Sequence, residues 1–484
     1  MRSAGKLADA ILITAGCSSL LFLLFNISRH GWTLHYLSLL LVAAIFFSAL
    51  RLSVSIKGNV ALLLLSTVVG LYGAEALLGQ VLFTPSRFSA WDWLNFPEDV
   101  TTGIAIDRIK EQKAVNASFD SRTRLQVVQD LRSQGIHAFP HIFLSVLMQA
   151  DGKGGITTLF KTGQEEFLPL ASISHVTTVF CNESGEYIIY DSDEHGFHNP
   201  PGLWQQDAVQ VVALGDSFTH GACVPTENSF VSVIRSHFPA TINLGVDGNG
   251  PLAMLATLKE YAASLRPKIV LWFYYEGNDS RDLDEREKNS LLLRQYLGTS
   301  FSQRLIDRQE EIDHVLTAYL EGAMQAREAS FDPEAFLKLQ HVRTSVQSVI
   351  NKRPARDGLP AELVEFLKTA GAESAKEDLE LFRAILGEAR ASVAAWGGRL
   401  YFVYLPTWAR YRSPDLASQD RAAVLRIAGE SGVPIVDIHT AFASHPDPLS
   451  LFPFRRHAHY HINGHQLVAE EVLKRLEKDG TGHR

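Results

Sequence analysis

The sequence has few charged residues and few cysteines. Each of these features excludes some classes of protein. Only 20% of its 484 residues are charged, and the net charge is −8. A chain without an excess of lysine and arginine lacks the electrostatic footprint of a nucleic-acid-binding protein, so we expect no nucleic-acid partner. Mean hydropathy is +0.01, and a soluble domain is usually more polar than that. The composition therefore indicates a membrane portion.

The cysteines are Cys17, Cys181 and Cys223. They are too few for a disulfide-rich scaffold, and their spacing is not that of a zinc site. We therefore expect neither a metal nor a cofactor. Cys181 and Cys223 can pair in an oxidising compartment, but spacing alone leaves that pairing open.

Long apolar runs are confined to the first 83 residues. We predict three transmembrane helices in this region, within residues 10–27, 33–50 and 59–83. Each run is long enough to cross a hydrocarbon core of about 30 Å. A cleaved signal peptide is the alternative for the first run, since basic residues precede it.

The basic residues around these runs predict their orientation. Arg2 and Lys6 precede the first run, and Arg51 and Lys57 lie between the second and the third, against Arg29 alone in the other loop. The positive-inside rule then places the N-terminus in the cytoplasm and the chain after residue 83 outside. We therefore predict a multi-pass protein of the bacterial inner membrane with a periplasmic catalytic domain.

The rest of the chain changes character near residue 205. Residues 84–204 contain short β-like runs and a helix at 123–134, which predict a small strand-rich accessory region. From 205 to 484 continuous apolar strands alternate with helices, which predicts an α/β domain with a doubly wound, parallel five-stranded sheet. Residues 281–396 contain only helical patterns and form a predicted helical insertion. The five predicted strands are residues 209–214, 241–244, 268–274, 399–404 and 433–438.

Polar residues follow these strands, where ligands of parallel sheets bind. Ser217 follows Gly-Asp after the first strand, where the next helix presents its N-terminal N–H groups. Gly248 follows the second strand, and a glycine lets the backbone approach a ligand closely. Asn278 follows the third strand and carries an amide that can donate to an oxyanion. His459 precedes the last helix.

In order and spacing these four segments resemble the sequence blocks of SGNH/GDSL hydrolases, in particular bacterial membrane-anchored proteins associated with cell-surface polysaccharides. The resemblance runs from about residue 209 to the C-terminus, outside the helical insertion. It implies that Ser217 is the nucleophile and an oxyanion donor and that Gly248 and Asn278 complete the oxyanion hole. It also implies that His459 is the general base.

Two features depart from that family. Glu276 stands where the third block usually begins with glycine, and Arg456 and His457 stand where the family's acid usually lies. The nearest upstream acid, Asp447, is the candidate for the third catalytic member. The alternatives are a Ser–His dyad and an acid from elsewhere in the chain. Because the acid orients the histidine, its absence weakens catalysis without abolishing it.

The choice of His459 among four nearby histidines depends on one spacing. The family's histidine stands five residues before a glycine, and Gly464 therefore selects His459 over His457, His461 and His465. The same cluster superficially resembles a metal site. No cysteine or carboxylate at zinc spacing accompanies it, so a structural role is expected for the other three.

Together these features predict a serine esterase that removes O-acetyl or other acyl groups from a cell-surface or extracellular glycan. A polysaccharide O-acetyltransferase with the same residues is the first alternative, since only the acyl acceptor differs. A catalytically silent glycan-binding subunit is the second alternative, because the family's acid is missing. Besides the glycan or other ester, we name a membrane acyltransferase or a polysaccharide-assembly protein as candidate partner.

Overall fold

A computed structural model describes residues 2–30, 37–81, 120–325 and 361–481, with short gaps at 121, 153, 163–164, 207, 299, 413–419 and 457–458. The described residues fall into two compact units. The N-terminal helices form one unit, and residues 120–325 with 361–481 form the other. Residues 326–360 of the predicted helical insertion and His457 lie outside the described residues.

The described part of the N-terminal unit is helical. Its helices are α1 (Arg2–His30), α2 (Leu37–Ala49) and α3 (Val54–Val81). Helix α1 packs against both of the others. Lys57 on α3 donates to the Asp9 carboxylate on α1 over 2.8 Å, which pairs the charges near the start of each helix.

The prediction of three membrane spans is not supported. Among the described residues, one helix is long and apolar enough to cross a membrane, the 21-residue stretch Val54–Ala74. Helix α2 has only 13 residues and so reaches about 20 Å, short of a hydrocarbon core. The side chains of residues 22–30 lie outside the description, so the first run is only partly covered.

The second unit mixes helices and strands along its described residues. Its strands are β1 (Ala138–Pro140), β2 (Met148–Ala150), β3 (Ile156–Thr158), β4 (Phe160–Thr162), β5 (Glu165–Phe167), β6 (Thr177–Val179), β7 (Ile189–Asp191), β8 (Val211–Gly215), β9 (Thr241–Gly245), β10 (Ile269–Tyr275), β11 (Arg399–Leu405) and β12 (Ile435–Asp437). Its described α-helices of four or more residues are α4 (Arg124–Ser133), α5 (Ser217–His220), α6 (Phe230–His237), α7 (Pro251–Thr257), α8 (Asp279–Glu285), α9 (Leu291–Arg294), α10 (Gln309–Gln325), α11 (Ala361–Ala395), α12 (Ala409–Arg412), α13 (Arg421–Glu430), α14 (Ile438–Ser444) and α15 (Ile462–Lys478).

The central sheet confirms the predicted α/β fold. Its five strands lie in the order β12-β11-β10-β8-β9, and all neighbouring pairs are parallel. Strand β8 therefore stands between β10 and β9. Because parallel strands end at the same edge of a sheet, the segments after β8, β9 and β10 emerge side by side.

Both faces of this sheet are buried, which explains the continuous apolar strands. Along β10, Val270 and Trp272 belong to one hydrophobic core, whereas Leu271 and Phe273 belong to the other. Helices α7, α11 and α13 contribute to the first core, and α6, α14 and α15 to the second. Alternating residues of a strand point to opposite faces, so a sheet covered on both sides needs apolar residues at every position.

Residues 120–204 belong to the same compact unit as the sheet. Helix α4 starts at Thr123 in a capping box with Gln126, and short strands form small sheets ordered β1-β6-β7, β2-β3 and β4-β5. The first core of the central sheet continues into this region through residues such as Phe139 and Phe167. The accessory residues therefore share a core with the residues that follow 205.

A buried carboxylate that precedes the helical insertion binds several groups of the insertion. Glu260, in a π-helical turn that follows α7, accepts hydrogen bonds from the backbone N–H groups of Gln303 at 2.6 Å and Leu305 at 2.7 Å. Its oxygens also accept from the hydroxyls of Tyr296 and Ser302. Glu260 is 3% exposed. Glu260 thus accepts from four donors between residues 296 and 305.

Replacing Glu260 with alanine is expected to lower the free energy of unfolding by about 3 kcal/mol, because several buried donors lose their acceptor. Glu285→Ala, at an exposed position of α8, serves as the control and should change stability by less than about 0.5 kcal/mol. Chemical denaturation of the purified protein measures both. Equal stability of the two variants would contradict this role of Glu260.

Candidate active site

Ser217 stands at the carboxyl end of the central strand. Strand β8 ends at Gly215, and Asp216 caps the short helix α5 by accepting from the Phe218 N–H at 2.9 Å. Helix α5 lies directly on β9, since a Cβ at Gly245 would come within 2.5 Å of the His220 backbone nitrogen. This close approach holds Ser217 at the start of the helix, where it is 4% exposed.

His459 brings its imidazole to that serine from the loop before α15. Its Nε2 lies 2.8 Å from Ser217 Oγ. The two residues are 242 positions apart in the chain, so the contact depends on the tertiary fold. About a quarter of the His459 side chain is exposed, which leaves the pair accessible to a reactant.

The acid beside His459 is Glu183, which lies in the loop between β6 and β7. One carboxylate oxygen lies 3.0 Å from His459 Nδ1, and the other accepts the His459 backbone N–H at 2.9 Å. Glu183 is 8% exposed. The site thus contains a Ser–His–Glu chain of hydrogen bonds, and its third member comes from the accessory residues.

Asp447, the acid suggested by sequence proximity, was the wrong candidate. Its carboxylate pairs with Arg455, and its backbone carbonyl accepts the Ser450 hydroxyl at 2.6 Å. It lies in a partly exposed turn, where an arginine a few residues away provides the opposite charge. The acceptor for the proton on His459 Nδ1 is Glu183, so Asp447 does not fill this role.

The charges around His459 favour its protonated form. Burial lowers the pKa of the imidazole, but the carboxylates of Glu183, Asp247 and Asp216 more than offset burial and raise this pKa to about 9. Because folding raises the pKa, the ion pair stabilises the fold below the ordinary histidine pKa and loses that contribution as the pH rises through about 9. Because only the neutral imidazole can accept the serine proton, a pKa of about 9 means that the share of His459 able to act as a base grows as the pH rises toward that value.

The other two predicted site residues flank Ser217 on the neighbouring strands. Gly248 follows β9 with a φ of 78°, in the left-handed region, and Asn278 follows β10 at the start of α8. Among the described residues, neither the Ser217 N–H nor the Gly248 N–H has a hydrogen-bond acceptor. The Asn278 amide lies beside the Asp216 carboxyl, and its Oδ1 is buried without a partner. The two backbone N–H groups are available to a bound oxyanion, whereas the unpartnered Asn278 oxygen is an acceptor and cannot donate to one.

Glu276, the departure from the family's third block, holds a neighbouring loop. Its carboxylate forms a two-point ion pair with Arg410 and accepts the Thr407 N–H at 3.1 Å. It is 5% exposed. The residue therefore links the end of β10 to the loop after β11, a structural role that glycine cannot fill.

The remaining described histidines of the C-terminal segment have structural surroundings. The His465 ring is buried and accepts the Phe230 N–H through Nδ1 at 3.1 Å. His461 precedes α15, and its backbone N–H donates to the Leu451 carbonyl at 2.8 Å. This backbone bond fixes the loop that carries His459 just before the helix starts.

One group of side chains in the site has the spacing of metal ligands. Glu183, Cys223 and His459 offer ligand atoms within 4.8 Å of one another. However, the Cys223 sulfur is bonded to Cys181 and is not a thiolate. Since the thiolate is the form of cysteine that binds a metal, this group is not a metal site while the disulfide is intact.

The two cysteines Cys181 and Cys223 are the feature of the sequence that could have indicated Glu183. The two Cα atoms are 5.3 Å apart, within the usual range for a disulfide. Cys223 follows Ser217 by six positions, and Glu183 follows Cys181 by two. The pairing left open by the sequence therefore brings the acid to the nucleophile, and assuming it would have identified Glu183.

No family model matches the chain, and no curated protein does. Among solved structures, the chain is similar to a protein described as lipolytic and of the G-D-S-L family from Desulfitobacterium hafniense, with 13% identity and a TM-score of 0.29 over 55% of this chain and 98% of that one. It is also similar to a lipase/acylhydrolase from Enterococcus faecalis, with 12% identity and a TM-score of 0.31 over 56% and 96%. An acetyl-xylooligosaccharide esterase from Geobacillus has 13% identity and a TM-score of 0.29 over 55% and 92%.

Replacing Glu183 with glutamine is expected to lower the pKa of His459 from about 9 toward the ordinary value of about 6.5, because the adjacent negative charge is lost. Asp447→Asn is the matched control and should leave this pKa unchanged. NMR titration of histidine-labelled protein, with the His459 signal assigned from His459→Ala, measures it. An unchanged pKa in Glu183→Gln would rule out the ion pair.

Proposed function

We propose that this protein is an SGNH-type serine esterase whose catalytic residues are Ser217, His459 and Glu183. The observation that carries the proposal is the continuous chain from the serine hydroxyl to the imidazole at 2.8 Å and on to the carboxylate at 3.0 Å. A nucleophile, a base and a group that orients the base, all in hydrogen-bonding reach, are what acyl transfer through a serine requires.

The first half-reaction follows from these positions. As Ser217 Oγ bonds to the ester carbonyl carbon, its proton passes to His459 Nε2, and the carbonyl π electrons move onto the oxygen. The Ser217 and Gly248 N–H groups, with the Asn278 amide, are the donors for this oxyanion. When the intermediate collapses, the ester C–O bond breaks, and the departing alkoxide takes the proton from His459. An acyl-serine and a free alcohol result.

The second half-reaction repeats these steps with water. His459 takes a proton from the water as its oxygen attacks the acyl carbon, and the returning proton releases Ser217 as the acid departs. Glu183 keeps the Nδ1 proton in place and stabilises the imidazolium that forms in each half. If a sugar hydroxyl replaces water, the same residues perform acyl transfer.

The proposed substrates are O-acetyl or other O-acyl groups of a glycan outside the cytoplasm. The sequence resemblance to polysaccharide-associated SGNH proteins supports this class. The Cys181–Cys223 disulfide supports an oxidising compartment, and the apolar helix Val54–Ala74 supports anchoring in a membrane. A glycan-binding subunit without activity was suggested by the missing acid, and Glu183 in that position favours an enzyme instead.

Ser217→Ala and His459→Ala are each expected to lower kcat/KM for p-nitrophenyl acetate by at least about 1,000-fold, because the nucleophile or its base is lost. A fluorophosphonate probe should label the wild type and not Ser217→Ala. The full chain in detergent is used throughout, and added oligosaccharide distinguishes acetate release from transfer.

Ser236→Ala and His237→Ala are the matched controls, since both are exposed at the end of α6. They should retain the activity and the labelling of the wild type. Undiminished hydrolysis by Ser217→Ala, with labelling retained, would refute the proposed enzyme.

A further inference from the structure

Glu183 lies at the tip of the loop between β6 and β7, outside the regular pairing of these strands. The antiparallel pairing of β6 and β7 is followed by two further backbone bonds, from the Phe180 N–H to the Ile188 carbonyl and from the Ile188 N–H to the Cys181 carbonyl, each at 2.8 Å. Beyond them the chain leaves the ladder. The carboxylate must nevertheless reach both the ring and the backbone of His459, so other contacts have to hold this loop.

One of the contacts that hold the Glu183 loop is covalent, the Cys181–Cys223 disulfide. It joins Cys181, at the last ladder position before Glu183, to Cys223, in the segment that follows α5 and the nucleophile. Cys223 Sγ also lies 3.8 Å from His459 Nδ1. The bond therefore connects the segment of the acid to the segment of the serine and passes beside the base.

The disulfide is buried, and hydrogen bonds support the loop beside it. Cys181 and Cys223 are 2% and 3% exposed, in a small buried cluster with Phe180, Tyr190 and Ala222. On the far side of the loop, hydrogen bonds of Asn182 supply a second support: its amide donates to the Asp120 carbonyl at 2.8 Å and accepts the Gly185 N–H at 2.9 Å. These bonds shape the loop tip, whereas the disulfide ties it covalently to the nucleophile's segment.

We propose that the Cys181–Cys223 disulfide is a positioning element for catalysis, in that it holds Glu183 against His459. This inference rests on the proposed esterase function. Without the bond, the acid's loop keeps its own fold but loses its fixed distance to the serine. Glu183 then lies within hydrogen-bonding distance of His459 for only part of the time, and catalysis is slower. The protein would therefore reach full activity only after oxidation of this cysteine pair.

The test is the variant Cys181→Ala/Cys223→Ala, compared with Glu183→Gln and with the triple variant. Removal of the disulfide should lower the limiting kcat/KM by about 10- to 100-fold, as misplacement of a catalytic group does. His459 must be neutral to accept the serine proton, so kcat/KM rises with pH through its pKa. A displaced Glu183 lowers that pKa, and the rising limb should move to lower pH in both variants.

The combination with Glu183→Gln separates positioning from general stability. If the disulfide acts through Glu183, its removal should cost much less activity in the Glu183→Gln background than in the wild type. Leu316→Ala, which truncates a buried side chain of α10, controls for lost stability and should not move the limb. Equal losses in both backgrounds with an unmoved limb would overturn the proposal.

Reduction of the wild type provides a second route if the double variant does not fold. Tris(2-carboxyethyl)phosphine donates two electrons, and water supplies two protons and the oxygen of the phosphine oxide, so that two thiols replace the disulfide. Thiol counting follows the reaction. The rising limb of the kcat/KM–pH profile should shift to lower pH on reduction and return on reoxidation with oxidised glutathione. A fully reduced, folded protein with the wild-type profile would refute the positioning role, whereas activity in Ser217→Ala would refute the esterase itself.

Discussion

The imidazole of His459 is held by two partners from distant parts of the chain, and the arrangement of the site depends on that double contact. Its Nε2 meets the Ser217 hydroxyl, while its ring and backbone N–H groups meet the two oxygens of the Glu183 carboxylate. Because one carboxylate binds one residue at two points, it fixes the position of the ring as well as its tautomer. The proton is kept on Nδ1, which leaves Nε2 as the acceptor that a general base needs.

The parallel sheet makes this contact possible because the segments that follow β8, β9 and β10 all lie at one edge of the sheet. Strand β8 lies between β9 and β10, so Ser217 emerges with Gly248 on one side and Asn278 on the other. The tight fit of α5 on Gly245 sets the depth of the serine. Helix α15 packs against α6 and so anchors the loop that precedes it, which places His459 over the same edge. The oxyanion donors and the nucleophile are thus fixed by the sheet, while the acid is not.

This difference explains what could be predicted from sequence. The strands of the central sheet were predictable because a sheet covered on both faces demands continuous apolar runs, and each of these five strands overlaps its predicted run. Ser217, Gly248 and Asn278 follow such strands, so local patterns locate them. Glu183 lies 276 positions before His459 and follows no recognisable block, so no local pattern could assign it.

An acid from the accessory residues changes what counts as the catalytic unit. A chain beginning at residue 205 would keep Ser217, His459 and the central sheet, but it would lose Glu183 and the cysteine that secures it. It would also expose the part of the first core that Phe139 and Phe167 cover. The residues before 205 therefore complete the site both chemically and mechanically. A site assembled across such a distance, with a disulfide between two cysteines 42 positions apart, is complete only when the whole unit has folded and these cysteines have been oxidised.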